Sequence, residues 1–296
     1  MNWSYRNTVL VCCTAAFFAV VTARLVVSPV VPDIVDSFGV SNSAVGLALS
    51  GMWAAYALTQ FPSGILGDRF GERRTILAAV GLTAAASGLL ALSPTFPIFA
   101  VLVFCLGIAA GLHYIVATSL LTRNFEQTGR AIGFHVTGAP LAGLVSPAVA
   151  AVVATRYGWR AAVLIGAVVA VPTFALFFWF VEPGPARFPD RPMRDRLEIG
   201  PITELLSRGP IVYTTVLSVL GAFTWQATAS FLPAFLEANH DLSGTTAGVL
   251  FSVYFFVHGI LQPLMGSLSD RFSRDGIVAL TMGVGICGYG ALVVVD

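Results

Sequence analysis

The sequence predicts an all-α membrane protein with many transmembrane helices, and three observations support this. Of the 296 residues, 56% are hydrophobic and only 10% are charged, and the mean hydropathy is +0.83, as expected of a chain that lies largely in lipid. Nine apolar stretches are each long enough to cross a bilayer. A seven-residue segment, residues 64–70, recurs almost unchanged as residues 266–272, 202 positions later (266 − 64).

Each predicted span contains about 20 apolar residues, which rise 1.5 Å per residue in a helix and so cross a hydrocarbon core of ~30 Å. The first span begins after only eight residues. It is too long for the apolar region of a cleaved signal peptide, so we expect a retained anchor. The predicted spans are residues 9–31, 44–66, 75–92, 98–120, 131–154, 161–181, 211–235, 244–265 and 276–295.

The arginines predict the orientation, because the chain contains no lysine. With a cytoplasmic N-terminus, two arginines (Arg156 and Arg160) fall in the outer loops and Arg24 falls within the first span. This asymmetry indicates a cytoplasmic N-terminus, and we interpret the chain as a multi-pass protein of a prokaryotic inner membrane. The net charge of +1 gives no indication of nucleic-acid binding. The other thirteen arginines lie on the inner side: Arg6, Arg69, Arg73, Arg74, Arg123, Arg130, Arg187, Arg191, Arg194, Arg196, Arg208, Arg271 and Arg274.

The repeated segment extends into a longer internal match. Residues 41–70 align with residues 243–272 without a gap, and nine of the 30 positions are identical. A duplicated multi-helix unit within one membrane chain is the usual architecture of a secondary transporter, whose substrate lies between the two halves. We therefore expect spans 1–3 and 7–9 to form the same three-helix unit. The identical positions are Ser41, Gly46, Ser50, Gln60, Gly64, Leu66, Asp68, Arg69 and Phe70.

One long polar segment divides the chain. Residues 182–209 hold several prolines and much of the charge, which is typical of a linker, and residues 201–208 are predicted to form a short surface helix. The expected organisation is a six-helix bundle over residues 1–181, a cytoplasmic linker over 182–209, and three helices of a second bundle over 210–296. We expect a complete repeat to contain three more helices, so the second bundle is interpreted as truncated.

The loop Gly64-Ile-Leu-Gly-Asp-Arg-Phe-Gly-Glu-Arg-Arg74 resembles the signature between helices 2 and 3 of the major facilitator superfamily, with Glu72 where a basic residue is commoner. Residues 128–133 and 158–160, which open spans 5 and 6, are similar to family patterns too. The resemblance implies a helical bundle that binds substrate at mid-membrane and works by alternating access. It assigns a gating role to Gly64, Asp68, Arg69, Gly71, Arg73, Arg74, Gly266, Asp270, Arg271 and Arg130.

Ionisable residues within the spans are few. None of the 15 acidic residues lies inside a predicted span, whereas intramembrane charges are costly and usually functional. With Arg24 as the only permanent charge there, the balance favours an anionic substrate. His135 is a candidate for linking proton and anion binding, and His113 and His258 are weaker candidate ligands. The alternatives are that Arg24 extends to the headgroups or binds a backbone carbonyl, and that the histidines are polar packing residues.

A closer resemblance supports Arg24 and His135. In the family's glycerol-phosphate antiporters an arginine of helix 1 lies eight residues before a proline, as Arg24 lies before Pro32, and a histidine of helix 5 precedes a glycine by three, as His135 precedes Gly138. Their helix 7 arginine corresponds here to Gln226, which the repeat offset also pairs with Arg24 (24 + 202). One arginine opposite a neutral amide favours a monovalent anion, such as a small carboxylate, cyanate or a nitrite-like ion.

Other functions are less well supported by the residues. Proton-coupled drug antiporters of this family usually carry an arginine in helix 4, where this chain has Val103, and no catalytic or metal-ligand constellation is visible. We therefore expect no enzyme activity, no cofactor, no metal and no nucleic-acid partner, only a small-molecule substrate, the lipid bilayer and a possible coupling proton. A monomer is expected. The alternatives are a transport-inactive membrane sensor with the same fold and a carrier of a neutral or drug-like solute.

Two local features are also predicted. The Asp270 carboxylate is expected to contact the first N–H groups of span 5, at Gly129 and Arg130, because a helix N-terminus favours an anion. Asp68 is expected to have local partners such as Arg69, Arg73 or Arg74. Gly107 and Gly111 predict close helix packing in span 4, and Pro140 and Pro147 predict bends or breaks in span 5.

Overall fold

The computed structural model of the chain describes residues 4–190, 199–242 and 244–294, and these contain helices and no strand. A short 3₁₀ turn, Ser28–Val30, joins the first two helices. The helices are α1 (Tyr5–Leu25), α2 (Val31–Phe38), α3 (Asn42–Phe70), α4 (Glu72–Ala91), α5 (Phe96–Gly111), α6 (Tyr114–Asn124), α7 (Thr128–Val136), α8 (Gly138–Tyr157), α9 (Trp159–Phe180), α10 (Ile199–Ser207), α11 (Gly209–Asn239), α12 (Gly244–Arg271) and α13 (Arg274–Val294).

Helices occupy all nine predicted spans. By length and composition, seven described segments could cross a membrane: Tyr5–Phe38, Glu72–Ala91, Phe96–Asn124, Thr128–Tyr157, Trp159–Phe180, Gly248–Arg271 and Arg274–Val294. The second and seventh predicted spans form α3 and α11, of 29 and 31 residues, but are not among the seven. In α3, small and polar residues such as Thr59 and Gln60 lower the hydropathy.

Three spans are interrupted, and the interruptions have local causes. Span 5 breaks at Thr137 between α7 and α8, because Pro140 has no N–H to donate to the carbonyl of Val136. The break predicted from the proline is therefore confirmed, whereas Pro147 lies within α8. Span 4 breaks between α5 and α6, next to His113, and span 1 breaks after α1, next to Arg24. Three predicted site residues, Arg24, His113 and His135, thus lie at or beside helix interruptions.

Sharp turns between helices depend on glycine. Gly71 between α3 and α4 has a φ of +89°, and Gly158 between α8 and α9 has a φ of +81°. Residues with a side chain rarely adopt this region, so these positions favour glycine. Gly107 and Gly111 of α5 lie directly against α3, since a Cβ on Gly111 would lie 3.0 Å from the Cβ of Thr59. The close packing predicted for this pair is confirmed.

The chain packs into two compact units. The first contains the residues up to Pro189 together with Phe255–Val278, and the second contains Asp190–Tyr254 and the residues from Ala279 onward. In the first unit, α1 is the central helix and packs against α4, α8 and α9. Its core includes Val9, Cys13, Ala16, Val20 and Phe177, all buried. In the second unit, the hydroxyl groups of Thr228 and Tyr289 form a hydrogen bond, with their oxygens 2.6 Å apart.

Helix boundaries repeat with the sequence. α12 begins at Gly244 and α3 at Asn42, a difference of 202 (244 − 42), and α13 and α4 begin at Arg274 and Glu72, again 202 apart (274 − 72). These equal offsets support the duplication, while superposition of the two three-helix units stays a prediction. In the predicted linker, α10 covers residues 199–207 in place of the predicted 201–208. Arg191, Arg194 and Arg196 lie outside the described residues.

Candidate functional site

Arg24 lies in the last turn of α1, where the helix carbonyl groups favour a positive charge. Its side chain is only 5% exposed, so it does not extend into solvent. Nε donates to the Val20 carbonyl at 3.4 Å, as the backbone-carbonyl alternative predicted. Nη1, however, is buried and has no hydrogen-bond partner among residues 4–190, 199–242 and 244–294. The guanidinium therefore keeps unused donor capacity inside the protein.

Two aromatic rings of α3 hold this guanidinium. Its Cζ lies 4.8 Å from the centre of the Trp53 ring and 4.2 Å from that of Tyr56. Cation–π contacts of this kind contribute ~0.5–1 kcal/mol when exposed and ~2 or more when desolvated. Neither ring is among the residues predicted from sequence. Their i, i+3 spacing, which places both on one face of a helix, is the signal that identifies them.

The two predicted histidines of spans 4 and 5 form a buried pair. His113 precedes α6 and His135 lies in the last turn of α7; both are fully buried, with ring centroids 5.6 Å apart. Phe17 packs against both rings, at 5.9 and 5.0 Å, and Tyr114 stacks on His135 at 6.3 Å. The Cys13 backbone also interacts with both imidazoles. No ring nitrogen of the pair meets full hydrogen-bond geometry with a described residue.

The histidine pair and Arg24 belong to one cluster. The aromatic neighbours of these groups lie on α1, α3 and α6. Tyr56, which contacts Arg24, and Tyr114, which stacks on His135, both pack against the buried core that contains Phe17. The structure therefore brings three of the five predicted binding residues together.

The other two predicted residues are placed differently. His258 lies on α12 in the first unit, half-buried, with its Nε2 3.3 Å from Nε2 of Gln262. Gln226 lies on α11 in the second unit and is exposed. Its pairing with Arg24 stays a prediction, as does the ligand role of His258.

The contact predicted for Asp270 is present. Oδ1 accepts a hydrogen bond from the Gly129 N–H at 2.9 Å, and Oδ2 accepts one from the Arg130 N–H at 2.8 Å. Both donors lie in the first turn of α7, where N–H groups have no partner within the helix. The carboxylate therefore caps α7 with both oxygens, and the negative charge interacts favourably with the helix dipole.

Glycines allow α7 and α12 to approach this closely. A Cβ on Gly129 would lie 2.6 Å from the Gly266 carbonyl oxygen, and one on Gly133 would lie 2.6 Å from that of Gln262. Real Cβ atoms do not approach so near, so alanine at either position would push the helices apart. Gly266, predicted as part of the second loop motif, faces Gly129 directly and shares this role.

The first loop motif has different partners. Arg73 donates from Nε and Nη2 to the carbonyls of Val181 and Phe178 at the end of α9. The pairing of Asp68 with Arg69, Arg73 or Arg74 stays a prediction. Glu72 is buried and forms an ion pair with Arg123, whose Nη1 lies 2.8 Å from Oε1. The acidic residue at this unusual position thus compensates a basic residue of α6.

The rest of the first loop contacts residues of the predicted linker and neighbouring side chains. The backbone carbonyl of Asp68 accepts a hydrogen bond from the Phe188 N–H at 2.9 Å. The Arg69 guanidinium lies 5.5 Å from the Phe70 ring. A cavity of about 280 Å³ lies beside this loop. It is lined by Tyr5, Glu72, Arg73, Leu120, Arg123, Asn124, Glu182, Pro183 and Gly184.

The family model of the Major Facilitator Superfamily matches residues 13–296, nearly the whole chain. The chain therefore belongs to this superfamily of membrane transporters, and the resemblance seen in its loop motifs is confirmed. The helical fold expected from that resemblance agrees with the helices of the described residues.

Two curated relatives are named for anions. The chain is 26% identical to the "Probable sulfoacetate transporter SauU" of Cupriavidus necator, with 96% of this chain and 70% of that protein covered. It is 27% identical to the "Probable nitrate/nitrite antiporter NarK1" of Thermus thermophilus, with 97% and 66% covered. The chain thus spans about two thirds of the length of these relatives.

A solved structure shows the same fold. The proton:xylose symporter XylE, bound to 6-bromo-6-deoxy-D-glucose, matches with a TM-score of 0.73 at 17% identity, over 93% of this chain and 71% of that one. At this identity the match establishes architecture and carries no information about substrate.

Proposed function

We propose that this chain belongs to a secondary carrier that moves a small anion across a prokaryotic inner membrane, with Arg24 as the anion ligand. The observation that carries the proposal is the buried Nη1 of Arg24, which has no hydrogen-bond partner in the described part of the chain. A buried donor of this kind is costly unless a ligand or solvent pairs with it. An anion supplies both the hydrogen-bond acceptors and the compensating charge.

The chemistry of the guanidinium favours a planar oxyanion. Trp53 and Tyr56 lie against the group, with ring centroids 4.8 and 4.2 Å from Cζ, and Nη1 still has N–H donors for a ligand. A guanidinium binds a carboxylate or a similar oxyanion through two parallel hydrogen bonds. With Gln226 as a neutral second ligand, a monovalent anion is favoured: a small carboxylate, cyanate, or a nitrite-like ion. The names of the two relatives support the broader class of small anions, and nitrate and nitrite are monovalent.

Alternating access follows from the proposed two-bundle organisation: residues 1–181, the linker 182–209 and residues 210–296. The anion would lie at mid-membrane between the bundles, with Gln226, His113 and His258 completing the site around Arg24 and His135. The arginine distribution favours a cytoplasmic N-terminus, and with that orientation the Asp270 contact would lie on the cytoplasmic side. There it would hold α7 and α12 together while the outer side is open, and its release would open the path inward.

Uptake into proteoliposomes tests the proposal. The panel consists of labelled nitrate, nitrite, lactate and sulfoacetate, with xylose as the neutral comparison. We expect saturable uptake of at least one anion and none of xylose. Arg24→Gln should abolish that uptake, and Arg24→Lys should restore little of it, because an ammonium lacks the planar pair of donors. Arg156→Gln removes an exposed arginine at the end of α8 and should leave uptake unchanged.

Each result is interpretable. Normal uptake by Arg24→Gln protein would remove Arg24 from the binding site. Uptake of xylose alone would favour a carrier of neutral solutes. Saturable anion binding without uptake, by protein that is monodisperse in detergent, would favour the membrane-sensor alternative.

A further inference from the structure

The short helix α10 has an apolar side and a polar side. Leu205 and Leu206 are 48% and 53% exposed, so no other described helix covers them. At about 100° per residue, these two leucines lie on one half of the helix, and Thr203, Glu204 and Ser207 lie on the other. Isoleucine at positions 199 and 202 follows the same helical spacing in the sequence. α10 is therefore amphipathic.

The polar side chains of α10 make local contacts that support the helix itself. Thr203 Oγ1 donates to the Gly200 carbonyl at 2.8 Å, and Ser207 Oγ donates to the Glu204 carbonyl at 2.7 Å. Arg208 Nη2 forms an ion pair with Glu204 Oε1 at 3.2 Å. A helix of only nine residues is marginal in water unless its apolar face packs against something. The two leucines of α10 therefore need a surface that covers them.

Arg208 determines where α10 lies. Its N–H donates to the Leu205 carbonyl at 3.2 Å, and its own carbonyl accepts hydrogen bonds from the N–H groups of Ile211 and Val212, both at 2.9 Å. This one residue thus ends α10 and begins α11. Its φ of −68° and ψ of 127° are extended, so the chain changes direction here and α10 does not continue the axis of α11.

α11 corresponds to the seventh predicted span, and its first turns are apolar. Val212, Tyr213 and Val216 are all exposed, as expected of side chains that face lipid. Because a single residue joins the two helices, the end of α10 lies at the level where α11 would enter the membrane. An amphipathic helix at that level has its apolar half beside the boundary between lipid headgroups and acyl chains.

We propose that α10 is a membrane-surface helix and that lipid is the partner that covers Leu205 and Leu206. The side chain of Arg208, at the junction, is 62% exposed and is long enough to reach lipid phosphates. In the sequence, residues 187–196 contain four arginines and two aspartates, a net charge of +2 (4 − 2) that suits an anionic leaflet. The inference depends on the predicted seventh span and is independent of the anion site. It assigns α10 the task of holding the start of α11 at a fixed depth.

A fluorescent NBD label that responds to lipid tests this placement. The whole chain, with the exposed Cys105 and Cys287 changed to alanine and the buried Cys12 and Cys13 kept, receives one new cysteine, Leu206→Cys or Glu204→Cys. The labelled protein is placed in vesicles of phosphatidylethanolamine and phosphatidylglycerol, with or without a lipid that carries a nitroxide quencher high on its acyl chain. The quencher should remove about half or more of the fluorescence at Leu206→Cys, because the apolar half enters that boundary. The label at Glu204→Cys should instead be quenched by iodide in the water.

A charge placed on either half of α10 provides the matched control. With the label at Leu205→Cys, Leu206→Asp should abolish most of the quenching by lipid, because burying an unpaired carboxylate in the apolar boundary is costly. Thr203→Asp adds the same charge to the opposite half and should leave the quenching unchanged. Equal quenching by lipid at Leu206→Cys and Glu204→Cys would overturn the proposal. So would a Leu206→Cys label that neither lipid nor iodide quenches, since protein, such as a second copy of the chain, would then cover the leucines.

Discussion

Asp270→Asn tests the contact between α12 and α7 most directly. The carboxylate accepts hydrogen bonds from the Gly129 and Arg130 N–H groups, at 2.9 and 2.8 Å. Asparagine keeps the shape and one carbonyl oxygen, so it can retain one of these bonds. It loses the second acceptor and the negative charge that the first turn of α7 stabilises.

The magnitude follows from these two losses. A charge at a helix N-terminus contributes up to ~2 kcal/mol when partly buried, as Asp270 is, and a typical lost hydrogen bond costs ~0.5–1.5 kcal/mol. Because the asparagine carbonyl compensates part of this, we expect a net loss of about 1–2 kcal/mol. If the contact holds the cytoplasmic side closed, the ratio of open to closed protein should rise ~5–30-fold, since 1.4 kcal/mol corresponds to a factor of ten.

Distances between spin labels at Glu126 and Ser273, both exposed, measure that ratio in cysteine-free protein. The long-distance population should increase in Asp270→Asn protein, and Asp270→Glu should return part of it. Asp275→Asn is the matched control, because Asp275 is an exposed carboxylate in the first turn of α13. Equal distance distributions for Asp270→Asn, Asp275→Asn and wild type would show that the carboxylate does not stabilise the closed side.

Three further predictions concern stability and specificity. Gly111→Ala should lower the melting temperature in detergent, because the alanine Cβ would lie 3.0 Å from the Thr59 Cβ. Overpacking of this kind costs about 1–3 kcal/mol. Gly88→Ala is the control and should not lower the melting temperature, because a Cβ there would have no atom within 4 Å. Glu72→Gln should destabilise the protein by about 1–2 kcal/mol. This is less than the ~3–5 kcal/mol lost when a fully buried ion pair is broken, because the side chain of the partner, Arg123, is 42% exposed. An unchanged melting temperature would contradict a stabilising ion pair. Trp53→Leu should weaken anion binding ~2–30-fold, because it removes a cation–π contact of about 0.5–2 kcal/mol. The affinity is measured as the anion concentration that gives half-maximal uptake. Unchanged affinity would show that Tyr56 alone orients Arg24.

Much of the fold could be predicted from the sequence, because lipid imposes simple rules. Every backbone polar group in the bilayer must be paired within its own segment, so long apolar stretches form helices. The predicted stretches at residues 75–92 and 161–181 correspond closely to α4 (Glu72–Ala91) and α9 (Trp159–Phe180). The break in span 5 could also be predicted, because proline removes a specific backbone hydrogen bond. The Asp270 contact followed from the family resemblance and helix electrostatics.

The surroundings of the candidate site were decided only by tertiary structure. Arg24, His113 and His135 could be selected from sequence because ionisable side chains are rare in membrane spans. That Trp53 and Tyr56 cover the guanidinium depends on how α3 packs against α1, which hydropathy does not encode. The pairing of the histidines likewise depends on breaks in two different spans that bring residues 22 positions apart (135 − 113) into contact. The sequence thus identified the ionisable side chains whose burial in a membrane is costly, and packing between helices determined which of them act together.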